Sequence, residues 1–147
     1  MASEQQFCTF YLEDLYFGIE VTGVQEVIRY QEMTPVPLAP EVIRGLINLR
    51  GQIVTAIDLR RRLELSPRPD GQLPMNVVVR TEEGAVSLLV DEIGDVLETT
   101  PDSFERPPET LTGVARSLIR GAYKLPDRLL LVLDTDKTVN VHVHATD

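Results

Sequence analysis

The sequence predicts an all-β fold built as two small antiparallel barrels with short helices, and three observations carry that prediction. Residues 43–58 (IRGLINLRGQIVTAID) and 119–134 (IRGAYKLPDRLLLVLD) are near copies at an offset of 76 residues. Residues 19–28 (IEVTGVQEVI) and 88–97 (LLVDEIGDVL) align at an offset of 69, with apolar residues coinciding at Val21/Val90, Val24/Ile93, Val27/Val96 and Ile28/Leu97, and acids at Glu26/Asp95. Between turn signals the apolar residues run in short stretches, several of them alternating at period two, as short strands of a sandwich or barrel do. One domain of 147 residues is expected, made of two subdomains at roughly 7–65 and 75–140, an arrangement in which strands can exchange between the halves.

The elements follow in order. Phe7, Thr9 and Tyr11 alternate with Cys8, Phe10 and Leu12, Glu13-Asp14 turns the chain, and residues 15–20 return as the second strand of a hairpin. Gly18 inside that strand marks a bulge or a close backbone approach. Val21, Val24, Val27 and Ile28 fall at helical spacing and predict a short helix over 21–28. Its β-branched residues make it a weak helix former that needs tertiary support. Pro35, Pro37 and Pro40 predict a stiff, extended connector. A second hairpin rises over 45–49, turns at Arg50-Gly51 and returns over 52–57. Asp58 caps a short helix over 59–63, with Arg60, Arg61 and Arg62 near its C-terminus, where cations suit the dipole.

Residues 66–74 (SPRPDGQLP) read as a linker, because three prolines and a glycine exclude regular structure. The second round then begins. Strands are predicted over 77–79 and 85–90 around a Glu82-Glu83-Gly84 turn, a proline-rich loop over 99–108, and a last hairpin over 118–124 and 128–133. Pro126 at the first central position of that hairpin suits a type I turn.

Composition excludes several classes of function. A net charge of -9 argues against nucleic acid as the main partner and against polybasic attachment to anionic lipid. The longest apolar run, residues 129–133, is far too short to span a bilayer, and nothing resembles a signal peptide, so a cytosolic location is the default expectation. The single cysteine, Cys8, rules out an intramolecular disulfide and reads as a buried, inert thiol. Aromatic residues make up only 5% and Trp is absent, so the core must be aliphatic.

Catalytic and metal chemistry find little to work with. The two histidines, His142 and His144, lie at the C-terminal end, and two ligands are too few for a structural zinc site. No phosphate-binding glycine motif occurs, so no cofactor is expected. The acids Asp91, Glu92, Asp95 and Glu98 read as the solvated face of a half-buried segment, and Arg60 to Arg62 as a solvated helix end. Two residues stand out for having no evident structural duty. Arg50 occupies a turn that could use almost any polar residue, yet it offers five donors in a planar fork of the kind enriched at protein interfaces. Glu26 sits on a mostly apolar segment beside Val24 and Val27, either as a surface acid or as a polar contact at the rim of an apolar groove. Both readings stay open for each residue.

The motifs in view resemble the CheW family of chemotaxis coupling proteins, over about residues 7–139. The most specific is P-E-x-I-R-G-L-I-N-L-R-G-x-I-V-x-x-I-D-L, met without a gap from Pro40 to Leu59. Phe17 to Ile19 (FGI), Val24 to Val27 (VQEV) and Val90 to Leu97 (VDEIGDVL) support it in the right order. The resemblance implies two intertwined five-stranded barrels of SH3-like or OB-like type over a shared core, and no enzyme activity. It implies an adaptor that couples the cytoplasmic tip of transmembrane chemoreceptors to the regulatory domain of a CheA-type histidine kinase, cytoplasmic but held in membrane-associated receptor arrays.

By the same resemblance Val24 and Glu26 match positions tied to receptor contact. Gly45 and Arg50 match positions tied to coupling, with Asn48 and Leu49 alongside, and Val96 matches the V-x-D-V-L element. Gly45 and Val96 are expected to act either by contact or through folding. Thr55 departs from the family, which often has proline there, and its amide is free to form a ladder hydrogen bond. The chain ends soon after DTDKTV, so a bare adaptor without receiver or kinase domain is expected. Two alternatives stand beside this reading: a coupling protein of a chemosensory pathway for surface motility, development or second-messenger output, and, more remotely, a small-molecule-binding β-barrel.

Overall fold

The computed structural model describes residues 5–82 and 84–141, so His142 and His144 lie outside the described residues. The strands and helices are β1 (Gln5–Leu12), β2 (Leu15–Glu20), β3 (Val24–Ile28), β4 (Ile43–Leu49), β5 (Gln52–Asp58), α1 (Leu59–Arg62), β6 (Met75–Thr81), β7 (Gly84–Val90), β8 (Glu92–Thr99), β9 (Phe104–Glu105), α2 (Gly113–Leu118), β10 (Ile119–Lys124), β11 (Leu129–Leu133) and α3 (Thr135–Val139). Single 3-10 turns, Val21–Gly23 and Pro101–Ser103, lead into β3 and β9. The residues 66–74 carry no regular structure, as their prolines require.

The strands form two sheets, in the orders β8-β1-β2-β11-β10-β9 and β3-β6-β7-β5-β4. Each takes a hairpin from one half of the chain and three main strands from the other. β1 and β2 join β8, β10 and β11, while β6 and β7 join β3, β4 and β5. The sixth strand, β9, is only two residues long. Neither ladder closes on itself among the described residues, so the barrels are open.

The registers repeat at the two offsets found in the sequence. The parallel pair β5–β7 sets Thr55 against Val86, and the parallel pair β11–β2 sets Leu131 against Phe17. Ile28 faces Asn76 as Leu97 faces Phe7. The bulge between Ile43 and Gly45 recurs between Ile119 and Gly121.

The largest core lies between the sheets and includes Phe10, Leu12, Phe17, Ile57, Leu59, Val77, Val79, Leu88, Val90 and Leu131. Opposite faces of the sheets hold smaller cores. One contains Ile47, Val54 and Ala56, and the other contains their counterparts Tyr123, Leu130 and Val132. Strands with both faces buried explain why β6, β7 and β11 read as continuous apolar runs rather than clean alternation. Gly18 is a close approach: a Cβ there would stand 3.1 Å from Leu130 Cδ1 and 3.2 Å from Phe7 Cβ.

Three readings of the sequence are corrected. Residues 21–28 are a 3-10 turn followed by a strand, not a helix, because β3 gains a full ladder against β6 and its β-branched residues suit it. Arg60 is not a solvated helix end. It is buried, its guanidinium grips both Asp91 carboxylate oxygens, and its Nη1 donates to the carbonyls of Ser66 (3.1 Å) and Pro67 (3.2 Å). Asp91 is correspondingly buried rather than part of a solvated acidic face. It also accepts from the Glu13 amide (2.8 Å) and from Arg68 Nε (3.1 Å).

This cluster joins α1, the 66–74 segment, the first hairpin turn and the β7–β8 corner. Burial pushes the Asp91 carboxyl up, but the hydrogen bonds from Arg60, the Glu13 amide and Arg68 more than offset it and hold it below its ordinary value. The hydrogen bond to Asp91 likewise raises Arg60 against the effect of burial. Arg62 donates to the Thr138 and Lys137 carbonyls at 2.8 and 2.9 Å and so caps the end of α3, while burial lowers its pKa.

Asp58 does cap α1, its Oδ1 accepting from the Arg60 amide at 3.1 Å, and Asp134 caps α3 in the same way through Lys137 at 3.1 Å. Cys8 is half-buried, and burial raises its thiol pKa.

Candidate functional site

The β4–β5 hairpin closes on Arg50-Gly51, flanked by the pair Leu49 and Gln52. Arg50 has φ of 52° and Gly51 φ of 91°, so both central residues are left-handed and the turn is of type I′. That turn matches the twist of a hairpin, but it favours Asn, Asp or Gly at its first position. The position is thus far more selective than the sequence suggests, and an arginine there costs about 1–2 kcal/mol of backbone strain. Asn48 Oδ1 accepts a hydrogen bond from the Gly51 amide at 2.9 Å.

The Arg50 guanidinium meets the Glu26 carboxylate in an ion pair. Glu26 stands on β3, the far edge of the same sheet, just past a bulge between Val24 and Glu26. Bulges re-aim side chains. Here the two residues that lacked a structural duty in the sequence are brought together across the open side of the sheet. The Arg50 side chain is 73% exposed and that of Glu26 21%, so the fork keeps free donors toward solvent.

The other sequence-derived candidates divide. Val24 is half-buried and packs on the main core beside Glu26, and Asn48 is exposed. Leu49 is buried in the smaller core under the hairpin, so it supports the turn from beneath. Gly45 is buried, and a Cβ there would lie 2.6 Å from the Thr34 carbonyl oxygen. Its counterpart Gly121 has the Glu105 carbonyl oxygen at the same 2.6 Å. Both glycines make room for a crossing chain. Val96 lies on β8, at the edge of the other sheet, opposite Cys8 and 60% exposed. The structure therefore places Val96 on a different sheet from Arg50 and Glu26.

One residue of this surface escaped the sequence reading. Ile53 is 61% exposed and directly opposite Asn48 in the ladder. Its signal was present, since Val54 and Ala56 point into the core and Ile53 must face away, but the apolar stretch IVTAI conceals the alternation. Val27, 37% exposed beside Glu26, adds a second apolar residue.

The surface thus combines a charged pair with exposed aliphatic side chains on a doubled β body, a make-up suited to binding another protein. Comparison with known proteins agrees. The CheW-like domain model matches residues 6–142. The chain is 30% identical over 136 residues to the chemotaxis protein CheW of Treponema pallidum, covering 90% of this chain and 80% of that one. It is 29% identical over 139 residues to the chemotaxis protein CheW of Thermotoga maritima, covering 92% and 88%. The solved structure of the scaffolding protein TtCheW from Thermoanaerobacter tengcongensis superimposes with a TM-score of 0.86 at 26% identity, over 98% of both chains. This chain belongs to the CheW family, a family of chemotaxis scaffold proteins.

Proposed function

We propose that the chain is a non-catalytic adaptor that couples the cytoplasmic tip of chemoreceptors to the regulatory domain of a CheA-type histidine kinase, with the surface around Arg50 and Glu26 as a partner contact. The observation that carries this is the strained Arg50 itself. Backbone strain at an exposed residue points to function when nothing in folding requires it, and here the same hairpin closes without it in the second copy, on Pro126-Asp127. Val24, Val27 and Ile53 supply apolar contact around the pair, Asn48 and Leu49 support the turn, and Gly45 acts through folding. Val96 belongs to a separate contact on the other sheet. The halves 7–65 and 75–140 act as exchanged subdomains of one rigid body that holds two partners in fixed relation. Each contact can be modest, because an array gains by effective concentration.

The protein works in the cytoplasm, within membrane-associated arrays, without inserting into the bilayer and without nucleic acid. Among the described residues no helix is long and apolar enough to cross a membrane. The named relatives favour chemotaxis over surface motility or second-messenger output. The test is titration calorimetry with a kinase regulatory-domain fragment and with a receptor-tip fragment. Arg50→Ala is expected to weaken at least one of them by about 1–3 kcal/mol. Unchanged affinity for both, with the fold intact by circular dichroism, overturns the assignment.

A further inference from the structure

We infer that Asn48 is a positioning residue for Arg50 rather than a partner contact in its own right, an inference that rests on the proposed role of Arg50. In a two-residue type I′ turn the amide of the second central residue has no ladder partner. Asn48 Oδ1 takes up that amide, on Gly51, at 2.9 Å. The bond closes only while Gly51 keeps its positive φ, and it therefore favours the backbone state in which Arg50 is also left-handed. Asn48 in this way offsets part of the strain and holds the guanidinium where it meets Glu26.

The second copy is the internal comparison. The position 76 residues on from Asn48 is Lys124, a side chain with no acceptor. Its turn has Pro126 where the first copy has Arg50, and the pyrrolidine ring forbids a positive φ. An acceptor at this position thus accompanies the left-handed turn and is absent where the turn takes another form. Asn48 is exposed, so its side chain is not held by packing, and its structural task is the one hydrogen bond.

A double-mutant cycle on the full chain tests this. Asn48→Ala is expected to weaken binding of the kinase or receptor fragment by about fivefold, the share of one hydrogen bond. In an Arg50→Ala background it should weaken binding no further. Asn48→Asp keeps the acceptor and loses the amide donors, so it should bind like the parent. Without any partner, Asn48→Ala should speed hydrogen exchange at the Gly51 amide and change the HN–Hα coupling of Arg50, whereas Asn48→Asp should do neither. Additive losses, or Asn48→Asp as damaging as Asn48→Ala, would mean that Asn48 touches the partner and would overturn the inference. Unchanged exchange and coupling in Asn48→Ala would overturn it as well. If Arg50→Ala alone leaves binding intact, the proposed function fails, and the turn measurements still decide whether Asn48 holds the turn.

Discussion

Replacing Arg50 with asparagine should separate what the turn does for folding from what it does for binding. The variant creates an Asn-Gly pair, the preferred occupants of a type I′ turn. It relieves the left-handed strain at residue 50, where φ is 52°, worth about 1–2 kcal/mol. It also removes the ion pair to Glu26. That pair is largely solvated on the arginine side and contributes about 0–1 kcal/mol. The net expectation is a variant about 0–2 kcal/mol more stable than the parent. Urea titration should show a midpoint that is unchanged or raised, at constant slope, since no surface is newly exposed. Partner affinity should fall in the same protein by about 5- to 150-fold, the span for losing a central interface arginine. Stability and binding then move in opposite directions, which no general loosening of the fold can produce. A variant destabilised by more than about 1 kcal/mol refutes the strain argument, because the solvated pair cannot account for that much. Undiminished affinity refutes the contact.

The remaining predictions concern the frame behind the site. Arg60→Ala leaves the buried Asp91 without its main partner and should cost about 3–5 kcal/mol in urea denaturation; a loss under about 1 kcal/mol would mean that solvent reaches the cluster. Gly45→Ala and Gly121→Ala each drive a methyl against a carbonyl oxygen 2.6 Å away, at Gly121 also against the still closer Phe104 ring, and should each cost about 1–3 kcal/mol in urea denaturation. The fraction of Gly45→Ala that folds should bind its partner normally, and a selective loss of binding would return Gly45 to the contact surface. The Asp91 carboxyl lies below its ordinary value when folded, so the stability it contributes is complete above about pH 4 and drains away as the pH falls through the lowered folded value. Asp91→Asn should flatten that acid limb in urea midpoints measured against pH, and an equally steep limb in the variant would contradict the assignment.

Much of the architecture could be read in the sequence because two independent offsets each fixed a register. The helix expected over 21–28 failed for a reason the structure makes plain. A bulge gives β3 one extra residue between the positions facing Val79 and Val77, so Val24 and Val27 stand on one face three residues apart. β8 repeats this, with Ile93 facing Phe10 and Val96 facing Cys8. A strand with one bulge imitates the opening of a helical pattern. The buried charges were invisible for a different reason. Arg60 lies in a run of three arginines, Arg68 between two prolines and Asp91 at the head of an acidic stretch, and their burial arises only when the 66–74 segment folds over α1. At the site, Arg50 and Glu26 were singled out separately, but nothing in a sequence shows that residues 24 apart meet across an open sheet. The left-handed turn was hidden because arginine occupies a place where asparagine would have announced it.

The two copies act as controls for one another. Bulges, parallel registers, capping aspartates and crossing-chain glycines occur in both, and a fold built twice on them needs them twice. The left-handed arginine, the asparagine that holds its turn and the acid that meets it differ in the second copy. There the position of Arg50 is a proline, that of Asn48 a lysine and that of Glu26 an aspartate, Asp95. A proline cannot form the ion pair, and the second hairpin closes all the same, with Leu125 donating to the Arg128 carbonyl at 2.9 Å. The Asn48-Arg50-Glu26 arrangement is thus something the hairpin can fold without. The Asn48 hydrogen bond offsets only part of the strain, and the proposed partner that reads the exposed guanidinium supplies a physical reason to keep the rest.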